Sequence, residues 1–120
     1  MYVYNNAICC RGLCEREGIV FQAYASLGAG ALGLMDHEVV RSLAQSHTVS
    51  PAQVLLRWGL QHNCALLPKS AKEERIRTNL DIWDFKLDAE EMRSLDNLDQ
   101  GQPGQNTMAG WLREHDPDFY

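Results

Sequence analysis

The chain has 120 residues, 45% apolar and 22% charged, enough for one modest core of ordinary soluble composition. Its 16 Asp and Glu against 11 Lys and Arg leave a formal charge of −5. That balance excludes broad adhesion to nucleic acid or anionic membrane, both polyanions, while leaving room for a local basic site. No apolar run approaches the roughly 20 residues of a membrane helix. Ala7 to Cys10 is too short for a secretory leader and has no basic segment before it. A cytoplasmic location is therefore expected. The 4 cysteines (Cys9, Cys10, Cys14 and Cys64) have the spacing of neither a disulfide framework nor a zinc site. Reduced thiols and no metal follow.

In chain order, Leu13 to Glu17 closes a short helix with Gly18 as the residue past its end. Ile19 to Tyr24 is apolar and aromatic apart from Gln22, which predicts a buried strand. Ser26 to Gly33 is a glycine-rich loop. Asp36 is placed to cap a helix reaching His47, with Val39, Val40, Leu43 and Ala44 on one face. Ser50-Pro51-Ala52-Gln53 is a stronger start: an N-cap serine, proline at the first helical position and glutamine at the capping-box position. Val54, Leu55 and Trp58 continue it as an apolar stripe. Cys64 to Leu67 reads as a second short buried strand, ended by Pro68. Ser70-Ala71-Lys72-Glu73 predicts a capping box opening a helix to Leu80, and Asp88-Ala89-Glu90-Glu91 a third helix start with Met92 and Leu95 inward. From Gln100 the chain turns polar, a tail anchored by Trp111.

Strands alternating with helices imply a parallel α/β arrangement. Two strands do not complete a sheet, and a parallel pair with open edges is prone to association. The pattern therefore describes part of a larger architecture, and self-association through the strand edges is expected.

Gly28-Ala29-Gly30-Ala31-Leu32-Gly33 spells G-x-G-x-x-G after a strand. A dinucleotide fingerprint also needs a tight strand–helix turn and an acidic residue roughly 20 positions later. Three residues separate Tyr24 from Gly28, and His47 to Gln53 holds no acid. A small Rossmann-like nucleotide site at Gly28–Gly33 is the weaker alternative, and a flexible loop the simpler reading.

Three segments together carry a family resemblance: Gly18-Ile19-Val20-Phe21-Gln22-Ala23-Tyr24-Ala25-Ser26-Leu27-Gly28; Val49 to Trp58; and Leu67-Pro68-Lys69-Ser70 followed by Glu74-Arg75-Ile76 and Asn79-Leu80. In order and spacing they resemble the seventh strand, the helix before the last strand, and the eighth strand with its cofactor-binding helix in the aldo-keto reductases. Asp84-Phe85-Lys86-Leu87 continues the match. The resemblance implies an α/β fold that is part of a (β/α)8 TIM barrel, the last two strands with their helices, in a family whose barrels need about 250 residues. Three regions are expected: residues 1–12 as a divergent N-terminal segment, 13–99 as the barrel part and 100–120 as the polar tail.

The same resemblance implies reduction of a small carbonyl compound with NADPH, once a full barrel completes the site. It assigns Tyr24, Leu27, Lys69, Ser70, Arg75 and Asn79 to the cofactor. Tyr24 would stack on the nicotinamide; Lys69, Ser70 and Arg75 would hold the adenosine 2′-phosphate, hence NADP rather than NAD; Asn79 would meet the adenine. A helix N-terminus near Ser70 suits phosphate on physical grounds alone. Taken singly, the tyrosine reads as a core residue, and the lysine, arginine and asparagine as solvated surface. Two positions depart from the family pattern. Ala25 stands where a phosphate-contacting serine is usual, and Thr78 replaces a glutamate that meets the adenine. The family's catalytic tyrosine, lysine, aspartate and histidine belong to the first half of the barrel, so no catalytic residue is assigned in this chain. Its histidines (His37, His47, His62 and His115) read as surface or helix-end residues. The competing functional class is a non-catalytic module that binds NADP or a protein partner.

Overall fold

A computed structural model describes residues 6–28 and 33–100 of the chain. Five helices and two short strands are laid out as α1 (Ile8–Arg16), β1 (Gln22–Ala23), α2 (Glu38–Ser46), α3 (Pro51–Gln61), β2 (Ala65–Leu66), α4 (Glu73–Leu80) and α5 (Ala89–Asp96), with a 3-10 turn at Leu34–Asp36 before α2. The strands pair in parallel, Gln22 beside Ala65 and Ala23 beside Leu66. A parallel pair requires a crossover, here the segment carrying α2 and α3.

α3 organises the packing. Ser50 accepts from the Gln53 amide while the Gln53 side chain accepts from the Ser50 amide at 2.8 Å, the reciprocal cap read from the sequence. Such a cap stabilises by about 1 kcal/mol. Behind it Val54, Leu55 and Trp58 are buried with Leu34, Val40, Ala44, Leu87 and Leu95 in one cluster, onto which Val39, Leu43 and Met92 pack. Each buried aliphatic side chain contributes on the order of 2 kcal/mol relative to exposure. At Gly59 an added Cβ would stand 2.8 Å from Leu66 Cδ2, so the glycine lets α3 lie close against β2.

The other face of α3 is polar and equally committed. Gln53, Arg57 and Gln61 recur every four residues and so form one row. Gln53 Nε2 donates to the Asp81 carbonyl at 2.6 Å and Arg57 Nη1 to the Ile82 carbonyl at 3.0 Å. Gln61 both donates to the Leu87 carbonyl and accepts from the Leu87 amide at 2.8 Å. These bonds satisfy the backbone of the segment between α4 and α5, which has no ladder of its own.

Three helix ends share one solution. After α1, α2 and α3 the chain turns through a left-handed residue, Gly18, Thr48 and Asn63, with φ of 67°, 56° and 56°. In each case the following amide bonds back five residues: Ile19 to Cys14, Val49 to Ala44 and Cys64 to Gly59. This is the Schellman closure, natural for glycine, tolerable for asparagine and costly for β-branched threonine.

Several expectations are corrected. The strand expected over Ile19–Tyr24 shortens to Gln22–Ala23; Ala23 is buried, but Ile19, Val20 and Tyr24 are more than half exposed. Apolar character here does not mark burial among the described residues, which residue type alone does not reveal. Asp36 lies in the 3-10 turn, and His37 is the N-cap of α2, its ring accepting from the Val39 amide. The capping box expected at Ser70 does not form. Lys72 precedes α4, while Ser70 Oγ accepts from the Lys72 amide at 3.1 Å in a local turn, so the helix begins three residues later at Glu73. The start at Asp88 holds, with a reciprocal cap to Glu91. Trp111, His115 and the middle of the glycine-rich loop lie outside the described residues. Within the described residues no helix is long and apolar enough to cross a membrane.

Candidate cofactor site

Parallel strands deliver their C-terminal ends to one side. One residue beyond the paired positions come Tyr24 after β1 and Leu67 after β2, both exposed. Pro68, which cannot donate to a ladder, ends β2. Past it the chain passes through Lys69 and the Ser70 turn into α4. Leu66, Leu67, Pro68 and Lys69 form one wall of a groove of about 420 Å³, and Ile76, Asn79 and Leu80 the other. Ile76, Asn79 and Leu80 are three and four residues apart and so share a face of α4.

The groove is apolar with two polar groups at its rim. Asn79 is buried at 8% exposure, although its position on a short surface helix would suggest a solvated side chain. Lys69 is exposed. Arg75 lies one residue off the groove-facing row and is also exposed, and Ser70 flanks Lys69. The side chains of Lys69, Arg75 and Asn79 make no hydrogen bond or ion pair with another described residue. By contrast Arg77, two positions further, is held by Glu73 at 2.8 Å. That pair also offsets one of the two acidic residues in the first turn of α4.

Of the six residues singled out in the sequence, Lys69 and Asn79 share the groove, and Ser70 and Arg75 stand beside it. Tyr24 is at the same end of the sheet but is not in the groove lining. Leu27 packs against the core cluster. Ser26, not singled out, is buried and donates to the Ala23 carbonyl at 3.2 Å, which holds the turn after β1. Ala25 in that turn has φ of 53°, a left-handed position unusual for alanine. Sequence reasoning also missed Ile76, Leu80 and Leu66. The helical spacing of Ile76, Asn79 and Leu80 was the signal available for them.

A profile of the aldo/keto reductase family matches residues 6–100. The chain belongs to this family. The match begins inside the segment set apart as divergent, and the structure gives Asn6 a buried place there. Among relatives, the 9,11-endoperoxide prostaglandin H2 reductase of Trypanosoma cruzi is 41% identical over 91 residues, covering 75% of this chain and 32% of that protein. The glyoxal reductase of Bacillus subtilis is 44% identical over 92 residues, covering 77% and 33%. The chain thus spans about a third of the length of these relatives. Among solved structures, an aldo-keto reductase from a Medee basin deep-sea metagenome library superimposes with a TM-score of 0.82 at 29% identity, covering 85% of this chain and 38% of that one. A mutant of Gox0644 in complex with NADPH gives 0.80 at 30% identity, covering 87% and 37%. The family is one of NAD(P)H-dependent oxidoreductases, with (β/α)8 barrels among its solved members.

The remaining polar clusters are structural. Asp96 Oδ1 accepts from Asn6 Nδ2 at 3.1 Å, Trp58 Nε1 at 2.9 Å and His62 Nε2 at 2.7 Å. The Trp58 and His62 rings meet edge to face at 4.9 Å. His47 bonds Glu91 at 2.8 Å. His37, His47 and His62 all lie at helix ends, and the latter two tie α5 to α2 and α3. Among the described residues no group of three or more His, Cys, Asp or Glu is arranged to hold a metal ion.

Proposed function

We propose that this chain is the cofactor-holding part of an NADP(H)-dependent carbonyl reductase, contributing the last two strands of a (β/α)8 barrel with their helices. The observation that carries the reading is the groove after β2, where Lys69 and Arg75, both without an anionic partner among the described residues, stand beside an apolar cleft containing the buried Asn79. Two unpaired cations near a helix start fit a phosphate monoester, the group that distinguishes NADP from NAD. Asn79 offers an amide to an adenine edge, and Ile76 and Leu80 offer apolar surface to its ring. When bound, NADPH supplies the hydride for the carbonyl carbon. This chain's residues orient its adenosine end, and Tyr24, at the same end of the sheet, is available to the nicotinamide. The proton donor and its supporting lysine, aspartate and histidine come from barrel strands outside the matched segment, so we expect no turnover from this chain by itself. A cytoplasmic setting, where all 4 free thiols stay reduced, accords with this chemistry.

Tryptophan fluorescence during titration with NADPH and NADH tests the proposal. The Lys69→Ala/Arg75→Ala double variant should lose roughly 2 kcal/mol toward NADPH, about thirtyfold, after allowing for solvent exposure. Its weaker NADH binding should be unchanged. Equal loss for both cofactors, or none, would refute the assignment.

The open strand edges support a second reading, association through the sheet. Among the described residues β1 and β2 pair only with each other, and Ile19, Val20 and Leu67 beside them are exposed. Sedimentation velocity from micromolar to high micromolar concentration should show growing oligomers. A monomer throughout would remove this reading.

A further inference from the structure

The cysteines on α1 play no part in the cofactor groove. Cys9 and Cys10 are exposed and Cys14 is half-buried at the edge of a concavity of about 230 Å³ formed with Arg11, Glu15, Phe21 and His62. A helix advances 100° per residue, so Cys10 and Cys14 lie about 40° apart on one face, one turn from each other. Cys9 is about 140° from Cys14 and faces elsewhere. Cys64 is buried, and burial pushes its thiol pKa up. Among the four thiols, Cys10 and Cys14 therefore share one face of α1, while Cys9 is turned away from that face and Cys64 is buried off the helix.

Spacing decides what that pair can do. Helical neighbours one turn apart have Cβ atoms about 5–6 Å apart, whereas a disulfide needs about 3.5–4.5 Å. A direct sulfur–sulfur bond is therefore disfavoured without bending the helix, and a bridge with one atom between the sulfurs spans the gap. Zinc is the wrong bridge, because it needs four ligands, and no third or fourth donor joins these thiols in the described structure. A trivalent arsenic carrying one organic substituent needs two sulfurs to complete its three bonds.

We propose that Cys10 and Cys14 form a two-thiol site on α1 that captures monosubstituted trivalent arsenicals. With an aryl arsine oxide, two thiol protons leave with the arsenic-bound oxygen as one water, and two As–S bonds form in place of the As=O bond. No electron changes hands. The Schellman closure at Gly18 holds the helix end that carries Cys14.

Phenylarsine oxide is the probe. One equivalent added to the native chain should raise the intact mass by one phenylarsenic and lower the number of thiols titrated by Ellman's reagent by two. Cys10→Ser and Cys14→Ser should each weaken capture by on the order of a hundredfold, since one thiol then acts without the high local concentration of its neighbour. Cys9→Ser and Cys64→Ser should leave it unchanged. Trypsin supplies a readout without any substitution, because Arg11 lies between the two thiols. Cleaved peptides that stay joined through arsenic and separate on adding a small dithiol support the site. Retained tight capture in Cys10→Ser or Cys14→Ser, loss in Cys9→Ser, or separate peptides from the wild-type adduct would each overturn it.

Discussion

Replacing Asp96 by alanine tests a polar junction that joins three segments of the fold. Asp96 Oδ1 receives Trp58 Nε1, His62 Nε2 and Asn6 Nδ2 at 2.9, 2.7 and 3.1 Å. Trp58 is 2% exposed, so its N–H has no solvent to turn to. Leaving that donor unsatisfied costs about 1–3 kcal/mol. His62 and the carboxylate are partly exposed, at 17% and 33% for their side chains, so water recovers most of that interaction. Together with the Asn6 contact they add roughly 1 kcal/mol. The expected loss is about 2–4 kcal/mol, which with a urea m-value of about 1.5 kcal/mol/M moves the midpoint down by roughly 1.3–2.7 M. Asp96→Asn keeps an oxygen for the indole and should cost under half as much. His62→Ala, which leaves the Trp58 bond intact, should also cost less. Urea unfolding followed by tryptophan fluorescence and circular dichroism measures all three. A loss below 1 kcal/mol for alanine, or asparagine as damaging as alanine, would mean that packing rather than this acceptor holds α5 to α3.

Thr48 at φ 56° should be improved by Thr48→Gly, raising stability by about 1 kcal/mol in the same urea assay, because glycine has no penalty in the left-handed region. Gln61→Ala removes both bonds to Leu87, whose backbone is otherwise unladdered, and should destabilise by about 1–3 kcal/mol, with faster amide exchange at Leu87. The Asp88 carboxyl is held below its ordinary value of 3.8 by the Glu91 and Glu90 amides it accepts from. Its stabilising effect is therefore full above about pH 4 and lost as pH falls below that through the depressed folded-state value. The advantage of Asp88 over Asp88→Asn should accordingly shrink in acid, seen as converging melting temperatures between pH 5 and pH 2. Gly30→Val should leave NADPH binding intact while Lys69→Ala weakens it. The reverse result would favour a nucleotide site in the glycine-rich loop.

Features encoded over a few residues could be read directly from the chain. The caps at Ser50 and Asp88 need only a side chain and an amide three positions away, and the turn at Gly18 only a glycine after a helix. The stripe Val54, Leu55 and Trp58 followed from helical spacing. The assignment of Lys69 and Asn79 to one site came from the family resemblance, and their lack of partners among the described residues emerged from the fold. Contacts between distant segments were hidden. Asp96 and Trp58 are 38 residues apart, and nothing local marks either as the other's partner. The Gln53, Arg57 and Gln61 row looks like a solvated helix face until the segment from Asp81 to Leu87 is laid against it. Exposure of Ile19, Val20 and Tyr24 depends on what lies beside the strand, a property of the assembled sheet. Local hydrogen bonding and helical periodicity are properties of short segments, whereas burial and long-range pairing exist only once chain segments far apart in sequence meet.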